Sequence, residues 1–248
     1  MNGTALSSGH VHGVSRRLTR EEFVHEAMGD AFGDALSLYD TGRRVRVLID
    51  EFLPDSAVVG KAALDVGCGL GFFSRRLVER GAHVVACDIG PTLVERTRRL
   101  AGCEGVVADA LDLARQFGPG SFDLVVSSEC IEHTPDPLRA ISQMLMVLRP
   151  GGYLSLSTPN RVWGPVVRLA TRLGLRPFDG LEHFSTWAAI RGALARGGAA
   201  ILEERGLHLF PFQVPLHRVS SWCDERLQPL RGVMINMCVV ARKHAGSA

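Results

Sequence analysis

Short apolar runs and longer amphipathic stretches alternate along this chain. The runs near residues 62–66, 83–88, 105–109, 122–127 and 153–157 are rich in Val, Ala and Leu. Nearly continuous apolarity over such short lengths predicts strands buried on both faces. Between them, near 71–80, 91–100 and 137–148, apolar residues recur every three or four positions, which predicts helices with one buried face. Asp136 followed by Pro137 is a good N-cap and first-turn pair for the last of these. Alternation of this kind predicts a parallel sheet covered by helices on both sides.

The flanks read differently. Thr19-Arg20-Glu21-Glu22 is a capping-box pattern that predicts a helix start. A second helix is expected over 41–53, stopped by Pro54. Beyond residue 160 an arginine-studded helical stretch (162–173) leads into a loop around 176–184, then a helix near 186–197. Two last strands, near 200–207 and 233–241, predict an antiparallel hairpin at the sheet edge. The expected fold is therefore α/β: a Rossmann-like, doubly wound, mostly parallel seven-stranded sheet with an antiparallel C-terminal edge hairpin. One domain is expected over 19–242, with N-terminal helices and a helical lid insertion near 160–185. Residues 1–18, rich in Gly, Ser and His, read as a tail in which His10 and His12 are solvated.

With 248 residues and 46% hydrophobic content the chain can bury a full core in one domain. A net charge of +2 is too small to signal nucleic-acid binding. The six cysteines form no C-x-x-C pair, so neither a zinc knuckle nor a disulfide framework is expected. A reducing, cytoplasmic compartment is the default expectation. No run of about 18 apolar residues occurs, so no membrane span is expected.

Leu64-Asp65-Val66-Gly67-Cys68-Gly69-Leu70-Gly71-Phe72 carries the most chemistry. A strand ends in an acid and turns tightly into a helix, and the glycines supply backbone angles closed to other residues. The spacing is G-x-G-x-G, not the G-x-G-x-x-G of dinucleotide sites, so no pyrophosphate is required. A nucleoside with an amino-acid tail fits, and S-adenosyl-L-methionine is such a molecule. In an open α/β sheet, ligands bind beyond the carboxyl ends of the strands. Asp88 ends the second strand, where a carboxylate accepts from two ribose hydroxyls. Ile89 then covers one adenine face. Asp109 accepts from the adenine amino group, with the Ala110 amide beside it. Asp65 orients either the ligand's ammonium or the loop itself. Ser128 ends the fourth strand near the methionine part.

Glu129-Cys130-Ile131-Glu132-His133 follows directly. If this piece coils helically, Glu129, Glu132 and His133 share a face. Two carboxylates and an imidazole suit Mg2+ or Mn2+, and the imidazole admits Zn2+. The same residues equally suit a hydrogen-bonded loop with a catalytic histidine and no metal.

Together these pieces resemble a class I S-adenosylmethionine-dependent methyltransferase. The resemblance rests on 64–72, Ala86-Cys87-Asp88, Ala108-Asp109-Ala110, 122–129 and Leu148-Arg149-Pro150-Gly151-Gly152. It implies cofactor contacts from Gly67, Gly69, Gly71, Asp88 and Asp109. It also implies an arginine against the methionine carboxylate: Arg43, with Arg44 competing. Glu-x-x-Glu-His followed by Thr134-Pro135-Asp136-Pro137 is similar to the O-methyltransferases that act on catechol-like intermediates of ubiquinone biosynthesis. Ser157-Thr158-Pro159-Asn160-Arg161, Glu182-His183-Phe184, Gly206-Leu207-His208 and 233–240 with Asn236 extend the likeness.

The implied reaction is O-methylation of a hydroxyl on a small aromatic or catechol-like acceptor. Glu132 and His133 are then catalytic, and Glu129, Glu132, His133 and His183 hold a divalent cation. Two alternatives stand beside it. One is metal-independent N-, C- or O-methylation of a secondary metabolite or sugar with His133 as base. The other is an inactive cofactor-binding scaffold. The apolar, arginine-studded stretch 162–178 either packs as a lid over the site or rests on a membrane surface.

Overall fold

The computed structural model describes residues 38–173, 182–210 and 217–246. The expected tail, the helix start at Thr19 and part of the loop around 176–184 lie outside them.

The described chain opens with helix α1 (Leu38–Val45), continued by a π-helical turn (Arg46–Glu51) and ended just before Pro54, as expected. The alternating core follows: β1 (Ala62–Val66), α2 (Phe72–Glu79), β2 (His83–Asp88), α3 (Pro91–Ala101), β3 (Glu104–Val107), α4 (Leu113–Phe117) and β4 (Phe122–Ser128). A 3₁₀ turn (Ile131–His133) leads to α5 (Pro137–Val147) and β5 (Leu148–Pro159). Then come α6 (Gly164–Arg172), α7 (Trp187–Arg196), β6 (Ala199–Leu207), α8 (His217–Arg226), a 3₁₀ segment (Gln228–Val233) and β7 (Asn236–Lys243). The Asp136 side chain caps α5 by accepting from the Arg139 amide at 3.0 Å, and Pro137 fills the first turn, as expected.

The seven strands form one sheet in the order β3-β2-β1-β4-β5-β7-β6. β1 to β5 are parallel, and β7 pairs antiparallel with both β5 and β6. The antiparallel edge is therefore present. Its two strands are joined through α8 and a 3₁₀ segment rather than by a tight turn, and the last strand lies inside the sheet with β6 outermost. Strand order reverses between β1 and β4, which opens a crevice at their carboxyl ends.

Alternate residues of β1 serve two cores. Leu64 and Val66 pack on the side of α5 and α7, and Ala63 on the side of α1 and α2. This two-sided burial is why the strands read as unbroken apolar runs. Among the described residues no helix is long and apolar enough to cross a membrane. The outer face of the 161–173 stretch is nonetheless apolar. Val162, Val166, Leu169 and Leu173 are all more than half exposed.

Candidate active site

The site is built at the carboxyl ends of β1, β2 and β4. Gly67, Gly69 and Gly71 all adopt left-handed backbone angles, with φ of +73°, +49° and +83°. The turn is pinned by Cys87, whose carbonyl accepts from the Gly67 and Cys68 amides at 2.9 and 3.0 Å. A β-carbon on Gly67 would stand 2.5 Å from Cys130 Sγ, so the bare glycine is what lets the β1 turn and the β4 tip meet. Burial pushes the Cys68, Cys87 and Cys130 thiols well up, so these three act as small apolar groups, not nucleophiles.

Asp88 is held in place by two backbone amides, Gly69 at 3.1 Å and Gly90 at 3.0 Å. A carboxylate at this strand tip is an acceptor of the kind ribose hydroxyls need. Partly exposed Ile89 follows it. Asp109 is exposed just beyond β3, accepting from the Leu111 amide at 2.8 Å, with Ala110 beside it. The strand-tip acids and the glycine turn thus share one edge of the sheet. A cradle that a single β-carbon would fill, an anchored acid and a nearby apolar side chain fit a nucleoside with an amino-acid tail.

Asp65 is buried under the turn and accepts from Ser74 Oγ at 2.5 Å. It supports the loop in this way. Burial, with Asp88 close by, pushes its carboxyl up to about 6. That is above the value of an unfolded aspartate, so between about pH 4 and 6 the folded chain holds a proton that the unfolded chain has lost. Stability therefore falls as pH rises through this window. Asp65→Asn keeps an acceptor for Ser74 and removes the slope. Thermal melts should show the variant equal to the unaltered chain near pH 4 and more stable at neutral pH, by roughly 2 kcal/mol.

Arg43 and Arg44 point in different directions, because neighbours on a helix are rotated by about 100°. Arg43 lies 3.7 Å from both Asp224 and Glu225 of α8, away from the strand tips. The expectation of Arg43 at the cofactor edge is corrected accordingly. Arg44 faces that edge, donating from Nη1 to Ser128 Oγ at 2.7 Å, and it is gripped by Asp40 one turn earlier at 2.8 Å.

Past Ser128 the chain does not coil into the expected helix. Glu129 takes φ +49°, and only the next residues form a 3₁₀ turn. The Glu129 carboxylate accepts from Ser157 Oγ and from Asn236 Nδ2, each at 2.9 Å. Glu132, only 2% exposed, accepts from Thr158 Oγ1 at 3.1 Å. Its carboxyl group is pushed well above the ordinary value by burial and by Glu129. His133 stands in front with its side chain 22% exposed and Nε2 4.0 Å from Glu132 Oε1. His183 is exposed and tied to the same turn. Its amide donates to the Glu132 carbonyl at 2.7 Å, and its Nδ1 lies 3.1 Å from the Thr134 carbonyl.

A cation needs several donors aimed at one point. Among the described residues no three His, Cys, Asp or Glu side chains are grouped to hold one. The expected metal centre of Glu129, Glu132, His133 and His183 is thus not formed in this arrangement. The left-handed Glu129 turns its carboxylate toward β5 and β7, and Ser157, Asn236 and Thr158 occupy oxygens that a metal would use. The donor set does not fit a cation. No local pattern in the sequence assigns a role to Asp40, Ser157, Thr158 or Asn236. Ser157, Thr158 and Asn236 lie in segments that carry the family likeness, and Asp40 is marked only by its i, i+4 spacing to Arg44.

Comparison with known proteins agrees with this geometry. Residues 64–156 match the family described as a methyltransferase domain. A ubiquinone biosynthesis O-methyltransferase from Xanthomonas campestris is 42% identical over 121 residues, 46% of this chain and 50% of that protein. One from Hahella chejuensis is 36% identical over 142 residues, 55% of this chain and 59% of that protein. The chain spans about half the length of the curated relatives it matches. Among solved structures, an S-adenosylmethionine-dependent methyltransferase from Mesorhizobium loti superposes with a TM-score of 0.61 at 23% identity, covering 80% of this chain and 98% of that one. Magnesium protoporphyrin IX methyltransferase from Synechocystis, solved with S-adenosylhomocysteine (SAH) bound, gives 0.63 at 18% identity, covering 90% and 100%. These two likenesses concern the fold. The glycine turn, the acids on the strand tips, the sheet order and the matched segment agree: residues 64–156 match a methyltransferase domain and lie in a chain with the fold of these solved methyltransferases.

Proposed function

We propose that this chain transfers a methyl group from S-adenosyl-L-methionine to a hydroxyl on a small aromatic, catechol-like acceptor, with His133 as the general base. One observation carries the assignment of the base: a partly exposed imidazole stands in front of a buried carboxyl group, just past the β4 tip that adjoins the glycine turn. The names of the Xanthomonas and Hahella relatives support oxygen as the acceptor atom.

When bound, the cofactor supplies a methyl carbon on a positively charged sulfur, open to in-line attack. The protein supplies position and a proton acceptor. Gly67, Gly69 and Gly71 admit the nucleoside close to the backbone, and Asp88 holds its ribose. Ile89 and Asp109 address the adenine, while Ser128 and Arg44 face its amino-acid end. A phenol with a pKa near 10 stays protonated at neutral pH and attacks poorly. His133 takes that proton as the hydroxyl oxygen approaches within about 3 Å of the methyl carbon. Glu132 is too buried to meet the acceptor. It stands behind the imidazole, 4.0 Å from Nε2, and backs the ring from the buried side.

Two experiments test this reading. Calorimetry with SAH asks whether the cofactor binds, and a panel of ring hydroxyls, amines and sugars asks where the methyl goes. Binding with turnover only on amines or sugars overturns the acceptor assignment. Binding without any turnover leaves the scaffold alternative standing.

A specific observation also supports a peripheral membrane contact. The exposed Val162, Val166, Leu169 and Leu173 share the 161–173 stretch with Arg161, Arg168 and Arg172. An apolar face flanked by arginines suits the surface of an anionic bilayer. Co-sedimentation should show binding to phosphatidylserine-containing vesicles that weakens with salt and is lost in Leu169→Glu. Equal recovery with and without vesicles would sink the idea.

A further inference from the structure

Behind Arg44 runs a line of buried polar groups that no step of the reaction uses. Asp40 accepts from Arg44 Nη2 at 2.8 Å and Nε at 3.2 Å. Asp40 Oδ1 also lies 2.9 Å from Nε2 of His208. His208 is fully buried, just after β6, with φ +61°. Its Nδ1 lies 4.0 Å from Asp224 Oδ2 on α8. Tyr39 packs against its ring at 5.8 Å between centroids and shares a hydrogen bond with Ser221 of α8 at 3.0 Å. Burial alone would raise the Asp40 carboxyl; Arg44 and His208 outweigh that and hold it down to about 2.

The line runs Asp224–His208–Asp40–Arg44–Ser128, from the C-terminal helix to the tip of β4. Such an arrangement is costly as mere filling. It takes ionisable groups out of water, and it sets a non-glycine residue in the left-handed region. Apolar side chains of similar volume would hold α1 against α8 at lower cost. What apolar residues cannot do is orient a guanidinium. Asp40 takes two of the Arg44 nitrogens and leaves Nη1 aimed at Ser128. His208 in turn fixes Asp40 from its far side.

We infer that His208 is a positioning residue for the cofactor site: through Asp40 it aims Arg44 at the edge of β4, where the carboxylate of the ligand's amino-acid tail is received. The inference rests on the methyltransferase reading above. It gives the C-terminal third of the chain, outside residues 64–156, a say in cofactor affinity.

The test reads SAH affinity by calorimetry, which needs neither acceptor nor turnover. His208→Ala should weaken binding about tenfold, the worth of roughly one hydrogen bond to a charged group. His208→Gln, which keeps a donor within reach of Asp40, should recover most of that loss. In an Arg44→Lys background, His208→Ala should cost no more than about twofold further, because the two act through one contact. A merely structural histidine would show equal losses in both backgrounds and no rescue by glutamine, and that result overturns the inference. So does unchanged affinity in His208→Ala. Should His208→Ala not fold, Asp40→Asn cuts the same line while keeping its shape, and the same loss is expected. An unaltered chain that binds no SAH removes the methyltransferase reading and this inference together. An unaltered chain that binds SAH, indifferent to position 208, removes the inference alone.

Discussion

Alanine at position 133 lowers kcat by about 10²–10⁴-fold and leaves the affinity for SAH within about twofold. The size follows from what is lost, a positioned proton acceptor, and the split follows from where His133 stands. It is partly exposed in front of Glu132, past the end of β4 and outside the glycine turn of residues 67–71. Glu132→Gln should lower kcat less, because the imidazole remains and the amide keeps the size of the buried group behind it. Stopped assays over a pH series check both variants. A chelator arm completes the experiment. Turnover that disappears in EDTA and returns with Mg2+ would show that the Glu129–His133 turn rearranges around a cation, and would replace the base mechanism.

Gly67→Ala should weaken SAH binding by more than about thirtyfold. Two penalties coincide at this position. The backbone is left-handed at φ +73°, which costs a β-carbon roughly 1–2 kcal/mol. The new carbon would also stand 2.5 Å from Cys130 Sγ and 2.6 Å from Cys130 Cβ, so the turn or the β4 tip has to move. Either movement displaces the amides and carbonyls that line the cradle. Gly102 provides the control. It has φ +66° with nothing within 4 Å of an added carbon, and it ends α3 far from the strand tips. Gly102→Ala should lose about 1 kcal/mol of stability and no affinity. Cys130→Gly added to Gly67→Ala should restore part of the binding by removing the obstructing carbon and sulfur. Calorimetry and thermal melts on the four proteins separate strain from obstruction. Equal affinity in Gly67→Ala and Gly102→Ala would show that the close approach to Cys130 is immaterial.

Much of the alternating core was legible beforehand for a local reason. β2 (His83–Asp88) and α5 (Pro137–Val147) carry their own signals: an apolar run closed by an acid, and an Asp–Pro start followed by apolar residues at helical spacing. Helix α8 (His217–Arg226) had no such signal. Its stretch mixes serines, charges and an exposed Trp222, and its buried residues are Ser220, Asp224 and the small Cys223. The full extent of β5 was also missed. Arg149, Pro150 and the two following glycines are poor strand residues, and the strand extends over them in the tertiary structure.

What the sequence alone determined is the strand-to-helix glycine turn, the acids at the strand tips and the parallel sheet that lines them up. Each follows from residue type and short-range spacing, and period and backbone freedom are local properties. Only the tertiary structure decided between Arg43 and Arg44, sent Glu129 toward Ser157 and Asn236, and set His208 against Asp40. Those outcomes depend on groups up to 182 positions apart, Arg43 and Glu225, meeting across β5, β6, β7 and α8. A side chain's partner there is chosen by the direction it points and by the burial it must offset, and neither is written in the order of its neighbours.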